Sequence, residues 1–329
     1  MTGNGLPTFT EPLEPIPPPA GPWTAATAHS KSLDPTGLTL GLLGAFLFSW
    51  KPIFVKLLYA EGVDAESQLL LRFGIALPLY VVIGAYAYLD RRRRRLTTDL
   101  SLPLILRTVA IGIVGYYLAA YFDMLALARI TAQFERLVLF TYPAFVAILG
   151  YWFFRERLSP ALLGALAITY GGLSLVFIKD LESFGPQVIA GTLFVLVSAI
   201  AYALYLLFSK GLIGRMGSAL FTTISMVSGA GLIFLQFLFT HSFADIPMSW
   251  TVAWLSLGIA VISTVVPSFL ISEAIARMGP ASTSVIGGSG PIITTLLAVW
   301  LLGEPFTAWH LFGMMLVIGG ILLLSRSRG

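Results

Sequence analysis

The chain has 329 residues, of which 57% are hydrophobic and only 11% charged, and its mean hydropathy is +0.87. Soluble domains carry roughly 25% charged residues, so this composition excludes a soluble enzyme or nucleic-acid-binding domain and leaves a polytopic helical membrane protein. The formal charge of +4 then concerns orientation in a bilayer, not a nucleic-acid partner, and the absence of cysteine excludes disulfides, thiolate metal sites and catalytic thiols.

Residues 1–35 are rich in proline, glycine, threonine and alanine and bury too little apolar area to offset ordering entropy. They lack the basic and apolar regions of a signal peptide and are expected to form a disordered cytoplasmic tail. From Gly37 onward, apolar runs of the length that spans a bilayer core of about 30 Å are broken by polar or Gly/Pro residues. The runs predict ten spans near 37–60, 66–89, 103–124, 130–153, 160–178, 187–210, 218–240, 250–275, 281–302 and 307–325. The basic residues then assign orientation. Arg91 to Arg95, Arg155, Arg157, Lys210, Arg215, Arg277, Arg326 and Arg328 fall on one side, and only Arg129 and Lys179 on the other. By the positive-inside bias the first side is cytoplasmic and so are both termini. Five arginines beside a span read as a topology anchor.

A shift of 148 residues lays Ala126–Leu175 on Ala274–Leu323 without a gap. It aligns Arg129 with Arg277, Pro143 with Pro291, Trp152 with Trp300, Glu156 with Glu304, and Gly171-Gly172 with Gly319-Gly320. The unit is five spans. Consecutive copies of an odd-span unit enter the membrane from opposite sides, the inverted-repeat plan of many secondary transporters. The expected fold is therefore an all-α membrane protein whose ten transmembrane helices form two inverted five-helix repeats, residues 36–180 and 181–329.

Trp50-Lys51-Pro52-Ile53-Phe54-Val55-Lys56 resembles the first-helix motif of the EamA-type transporters of the drug/metabolite transporter superfamily, and Arg72 sits where their second helix carries an arginine. Tyr142-Pro143 with Arg155-Glu156-Arg157-Leu158, and Gly290-Pro291 with Gly303-Glu304-Pro305-Phe306, are similar to the ends of that family's fourth and ninth helices. The resemblance covers about residues 37–325. It implies a ten-helix carrier of amino acids, metabolites or drugs in the cytoplasmic (inner) membrane, with export favoured over uptake. Glu135-Arg136 departs from the small residues usual at that point of the fourth helix.

A charge inside a span costs about 2.5–3.5 kcal/mol on insertion scales and marks a candidate site. The spacing places Lys56, Arg72, Asp123, Glu135 and Arg136 in the outer third of the first four helices, with Lys51 deeper. One reading pairs Lys56 or Arg72 with Asp123 or Glu135 and lets Arg136 snorkel. The other turns the excess positive charge toward a wet cavity that receives an anionic group. Lys51 has no acidic neighbour one turn away and precedes Pro52, which frees a carbonyl and can bend the helix. Candidate substrate contacts are Lys51, Lys56, Arg72, Glu135 and Arg136, with Trp50, Tyr117 and Ser289. Asp123 and Glu135 are the candidates for a coupling proton. Glu273 and Arg277 read as an i,i+4 pair, and Glu156 and Glu304 as helix-end contacts. Gly287-Gly288-Ser289-Gly290-Pro291 is poor helix-forming sequence that can interrupt a span beside a cavity. Ser263, Thr264, Pro267 and Ser268 supply similar elements to the eighth span.

His29, His241 and His310 do not form a metal-protease motif, and there is no nucleophile elbow or nucleotide-binding loop. The chain is thus expected to be a non-enzymatic secondary transporter of a small organic metabolite. It would lie in the lipid bilayer as a monomer or homodimer, with no cofactor, metal or nucleic acid. A lipid or nucleotide-conjugate translocase on the same fold, or a non-transporting scaffold, are the alternative readings.

Overall fold

The computed structural model describes residues 34–94, 100–154 and 160–326. The proline-rich tail, Arg95, the Arg155-Glu156-Arg157-Leu158 motif and Arg328 lie outside the described residues.

The described residues are helical, without a strand among them. Eight helices are long and apolar enough to cross a membrane: α1 Pro35–Ala60, α2 Ala65–Arg93, α3 Leu102–Leu127, α4 Ala132–Phe153, α5 Leu163–Phe184, α6 Gln187–Met216, α7 Ser218–Thr240 and α8 Trp250–Gly279. Two shorter apolar helices follow, α9 Ser289–Leu302 and α10 Ala308–Gly320. Each lies where a span was read in the sequence. Starts and stops follow local chemistry. Asp64 caps α2 by accepting from the Glu66 and Ser67 amides at 2.9 Å each. Thr131 caps α4 through the Phe134 amide at 3.2 Å. α8 ends at Gly279, whose φ of +83° is open to glycine at little cost.

Several helices are interrupted, and the α4, α9, α3 and α8 interruptions follow the repeat. α1 breaks at Ser49-Trp50, just ahead of Pro52, and α4 breaks at Phe140-Thr141, ahead of Pro143. Gly287-Gly288 form a turn before α9, ahead of Pro291. π-helical turns occupy Ile113–Leu118 in α3 and Val261–Val265 in α8, starting one repeat length apart. A third lies at Ala298–Leu302 in α9. Such turns insert a residue and free a carbonyl, and they cluster at functional sites.

The halves interlock. α1 packs on α8, α3 on α6, α2 on α7, α4 on α9 and α5 on α10. Exchanging each helix for its repeat counterpart returns the same set of pairs. The correspondence reaches individual atoms in the α5–α10 contact. A Cβ added to Gly172 would stand 2.6 Å from the Gly313 carbonyl oxygen, and one added to Gly320 would stand 2.8 Å from that of Ala165. The shift of 148 converts the first contact into the second. Small residues let these two backbones touch. The main apolar cores gather around Phe134, Tyr205 and Phe221, and around Leu58, Phe73 and Met124. Large apolar side chains such as Val82, Leu106, Phe239 and Trp300 remain on the outer surface, where lipid would cover them.

Candidate functional site

The breaks and the α3 and α8 π-turns border a crevice between the halves. One void, of about 60 Å³, is walled by Lys51 of α1, Arg72 of α2, Tyr116 and Asp123 of α3, Ser198, Tyr202 and Tyr205 of α6, and Thr264 and Ser268 of α8. A second void, of about 50 Å³, adjoins it and shares Phe48, Leu139, Tyr202 and Ile271 with its lining. It is lined by Gly41 and Ser49 of α1, Arg136 and Tyr142 of α4, and the glycines at the Gly287 turn. Both halves of the chain wall both voids.

The charges meet in one buried cluster. Lys51 Nζ lies 2.6 Å from Asp123 Oδ2, with both side chains all but fully covered. The α1 break delivers this lysine: the new helix begins at Lys51 instead of carrying it round the face of the preceding one. Arg72 Nε donates to Thr264 Oγ1 at 2.6 Å, and Thr264 in turn donates to the Ile259 carbonyl at 2.7 Å. That carbonyl is five residues back, as the π-turn dictates. Arg136 donates from Nη2 to the Phe48 carbonyl at 2.9 Å. The Phe48 ring has the Lys51 ammonium and the Arg136 guanidinium each 5.0 Å from its centroid. Glu135 is fully buried, and neither of its oxygens has a hydrogen-bond donor among the described residues. Its carboxyl lies within hydrogen-bonding reach of the Asp123 carboxyl. Hydroxyls complete the wall: Tyr116 and Tyr205 share a hydrogen bond of 2.8 Å, and Ser268 shares one of 2.9 Å with Tyr80 behind it.

Several sequence-based expectations need correction. Lys51, with no acidic neighbour one turn away along its own helix, finds its partner in Asp123, 72 residues away in sequence, which reaches it from α3. Neither Lys56 nor Arg72 is the partner of Asp123. Arg136 does not snorkel to the surface but is buried against Phe48. Lys56 is half-buried, with Glu304 and Glu135 as its acidic neighbours, and lines neither void. Trp50 packs on Phe54, Tyr117 stacks on Tyr121, and Ser289 bonds the Ile286 carbonyl; none of the three lines the two voids. Their sequence neighbours Tyr116 and Gly290 do. Ser198, Tyr202 and Tyr205 were not singled out, although their i, i+4, i+7 spacing marks one face of α6.

Other polar contacts tie the halves together beyond the crevice. The Glu304 carboxylate accepts from the Ala132 amide at 2.7 Å and the Gln133 amide at 3.1 Å, and Gln133 Nε2 donates to the Pro305 carbonyl at 2.6 Å. Burial pushes the Glu304 carboxyl above its ordinary value; the two amides and Lys56 oppose that shift and Asp180 adds to it. His310 Nδ1 accepts from the Thr307 amide, so Nε2 carries the hydrogen directed at Asp180 Oδ1, 3.0 Å away. At the start of α2 and the end of α7, His241 Nδ1 sits 3.1 Å from Glu66 Oε2 and Nε2 3.7 Å from Asp64. The Asp64 carboxyl is pushed up by burial, but the stronger combined pull of bonds from Ser67 and Glu66 and the His241 charge leaves it below the usual carboxylate range. Glu273 and Arg277 form their i,i+4 pair at 2.9 Å.

Apolar helices in paired halves around a charged central crevice define a membrane transporter. The chain belongs to the EamA-like transporter family, whose model matches residues 35–178 and again 189–326, once per repeat. It is 28% identical to the uncharacterized transporter YcbK of Bacillus subtilis over 84% of this chain and 87% of that one. It is 26% identical to the uncharacterized transporter sll1319 of Synechocystis over 89% and 94% respectively. A solved crystal structure shares the fold with a TM-score of 0.64 at 17% identity, covering 88% of this chain and 96% of the other.

Proposed function

We propose that the protein is a secondary transporter of the cytoplasmic membrane that moves a small organic metabolite by alternating access, in the export direction. Its ten helices would all span the bilayer as two inverted five-helix repeats, with both termini cytoplasmic. The observation that carries this reading is the crevice itself: Lys51, Arg72, Asp123 and Arg136 stand at its wall with Glu135 buried behind them, and both halves enclose it. Rocking one half against the other would move the opening from one membrane face to the other while the cluster stays in place. The matched π-turns and Gly/Pro breaks supply bending points on both sides. Lys51, Arg72 and Arg136 favour a substrate with an anionic group, and the apolar and aromatic walls favour a carbon skeleton beside it. Asp123 and Glu135, with carboxyls in reach of one another, are positioned to share one proton and to exchange it with the substrate.

Counterflow in reconstituted vesicles tests this. Amino acids and organic anions are screened with and without an imposed pH gradient. Flux is expected for a carboxylate-bearing compound and is expected to fall at least about tenfold in Arg72→Gln, the loss of one charge-assisted contact worth about 1.5–3 kcal/mol. Dependence on the pH gradient is expected to vanish in Glu135→Gln. Flux indifferent to Arg72, Lys51 and Arg136 variants would return these bases to a structural role.

A further inference from the structure

The crevice holds more positive charge than its own acids engage. Lys51 is matched by Asp123 at 2.6 Å. Arg72 uses only Nε, on Thr264, and its two terminal nitrogens have no partner among the described residues while the residue lines the first void. Arg136 uses Nη2 on the Phe48 carbonyl; its buried Nε is without a partner, and the residue lines the second void. The remaining acid, Glu135, lines neither void and accepts nothing from either guanidinium. The two arginines are near enough to repel one another. Each void is therefore lined by one arginine whose guanidinium keeps unused donors. Between them lie Phe48, Leu139, Tyr202 and Ile271, common to both linings and mainly apolar.

We propose that the crevice binds an α,ω-dicarboxylate, one carboxylate on the open edge of Arg72, the other on that of Arg136, and the apolar middle along Phe48 and Tyr202. This deepens the transporter reading and rests on it. A planar guanidinium offers a carboxylate two parallel N–H donors, and such pairs are stronger and more directional than neutral hydrogen bonds. A monoacid would satisfy one arginine and leave the other uncompensated in a low-dielectric site. A dianion offsets both and removes their mutual repulsion.

The test is equilibrium binding to the purified full chain, with suberate and its monomethyl ester as probes. The ester keeps length and shape but lacks one charge. Suberate is expected to bind at least about tenfold more tightly than the ester. Arg136→Gln and Arg72→Gln should each bring suberate to about the affinity of the ester. Arg136→Lys, which keeps the charge and is the more conservative change, should lose part of the preference while its melting temperature stays near that of the wild type. Equal affinity of the wild type for both probes overturns the proposal and needs no variant to be stable. So does an Arg136→Gln protein that weakens suberate and ester alike. If neither probe binds while counterflow of another metabolite persists, the dicarboxylate assignment falls and the transporter reading stands; if no compound in the counterflow screen moves, that reading falls with it.

Discussion

The two halves of the molecule share a backbone plan but not a chemistry. π-turns in α3 and α8 start one repeat apart, and proline-led breaks interrupt α4 and precede α9 at corresponding places. The charges that line the crevice lie in one half alone. At the repeat counterparts of Asp123 and Glu135 stand Ile271 and Thr283, and both of those also line the crevice. The second half contributes hydroxyls and rings: Thr264 receives Arg72, and Tyr205 receives Tyr116. Motion calls for two similar bodies with bending points in both. Recognition calls for a charged group in one place, and a second copy would double the desolvation cost without adding a substrate contact. The backbone is therefore the symmetric element and the cluster the asymmetric one.

Breaking the asymmetric element should have the largest effect. Removing one member of a buried ion pair leaves the other uncompensated, a cost of about 3–5 kcal/mol. Lys51→Met and Asp123→Leu are each expected to lose stability on this scale in detergent unfolding measurements. The combined variant should recover most of it, because no isolated charge remains, while transport stays lost. Single variants as stable as the wild type would show that the 2.6 Å pair is solvated and that the crevice is wetter than its burial implies.

The symmetric element is probed at the α5–α10 contact. Gly172→Val and Gly320→Val each drive a branched side chain toward a facing backbone carbonyl. Overpacking of this kind costs about 1–3 kcal/mol. The two losses should be similar, since one contact is the repeat image of the other. A clearly unequal pair would mean that the near-equal backbone distances do not carry equal energies.

The part of this arrangement that depends on composition and periodicity was legible in the chain. The helical segments, the bend ahead of Pro52, the interruption at Gly287-Gly288 and the repeat all arise from local residue types; the structure has a helix at each segment, and eight of them are long and apolar enough to cross a membrane. Who pairs with whom was not legible. Lys51 meets Asp123 across two helices, and that meeting depends on how far each helix is rotated about its axis. Tyr116 rather than Tyr117 faces the crevice for the same reason: neighbouring helical residues point about 100° apart, and the π-turn at Ile113–Leu118 adds a residue to the count. A straight 3.6-residue wheel drawn through α3 misses that offset. The stripe of Ser198, Tyr202 and Tyr205 was readable, since polar and aromatic residues at helical spacing stand out in a span of alanine and leucine.

The smallest expected effect separates the halves at a helix end. Glu304 caps the first two amides of α4, Ala132 and Gln133. One repeat further on, the position of Ala132 is taken by Pro280, which has no N–H to donate. The cap on α4 therefore has no full copy at the corresponding point ahead of α9. Glu304→Ala should cost about 1 kcal/mol, the usual value of a lost cap, and Glu304→Gln less, since one acceptor oxygen remains. The pH dependence has a definite sign. Burial raises the Glu304 carboxyl in the folded protein above its value of about 4.5 in the unfolded chain, so the folded state holds this proton more tightly. Its contribution to stability is full below pH 4.5 and is lost as pH rises through the raised value. Wild-type protein should gain a small increment in melting temperature on acidification across that window, and Glu304→Gln should lack it. An increment of the same size in both proteins would assign the effect to other groups and leave Glu304 as a cap whose two amide bonds fully offset its burial.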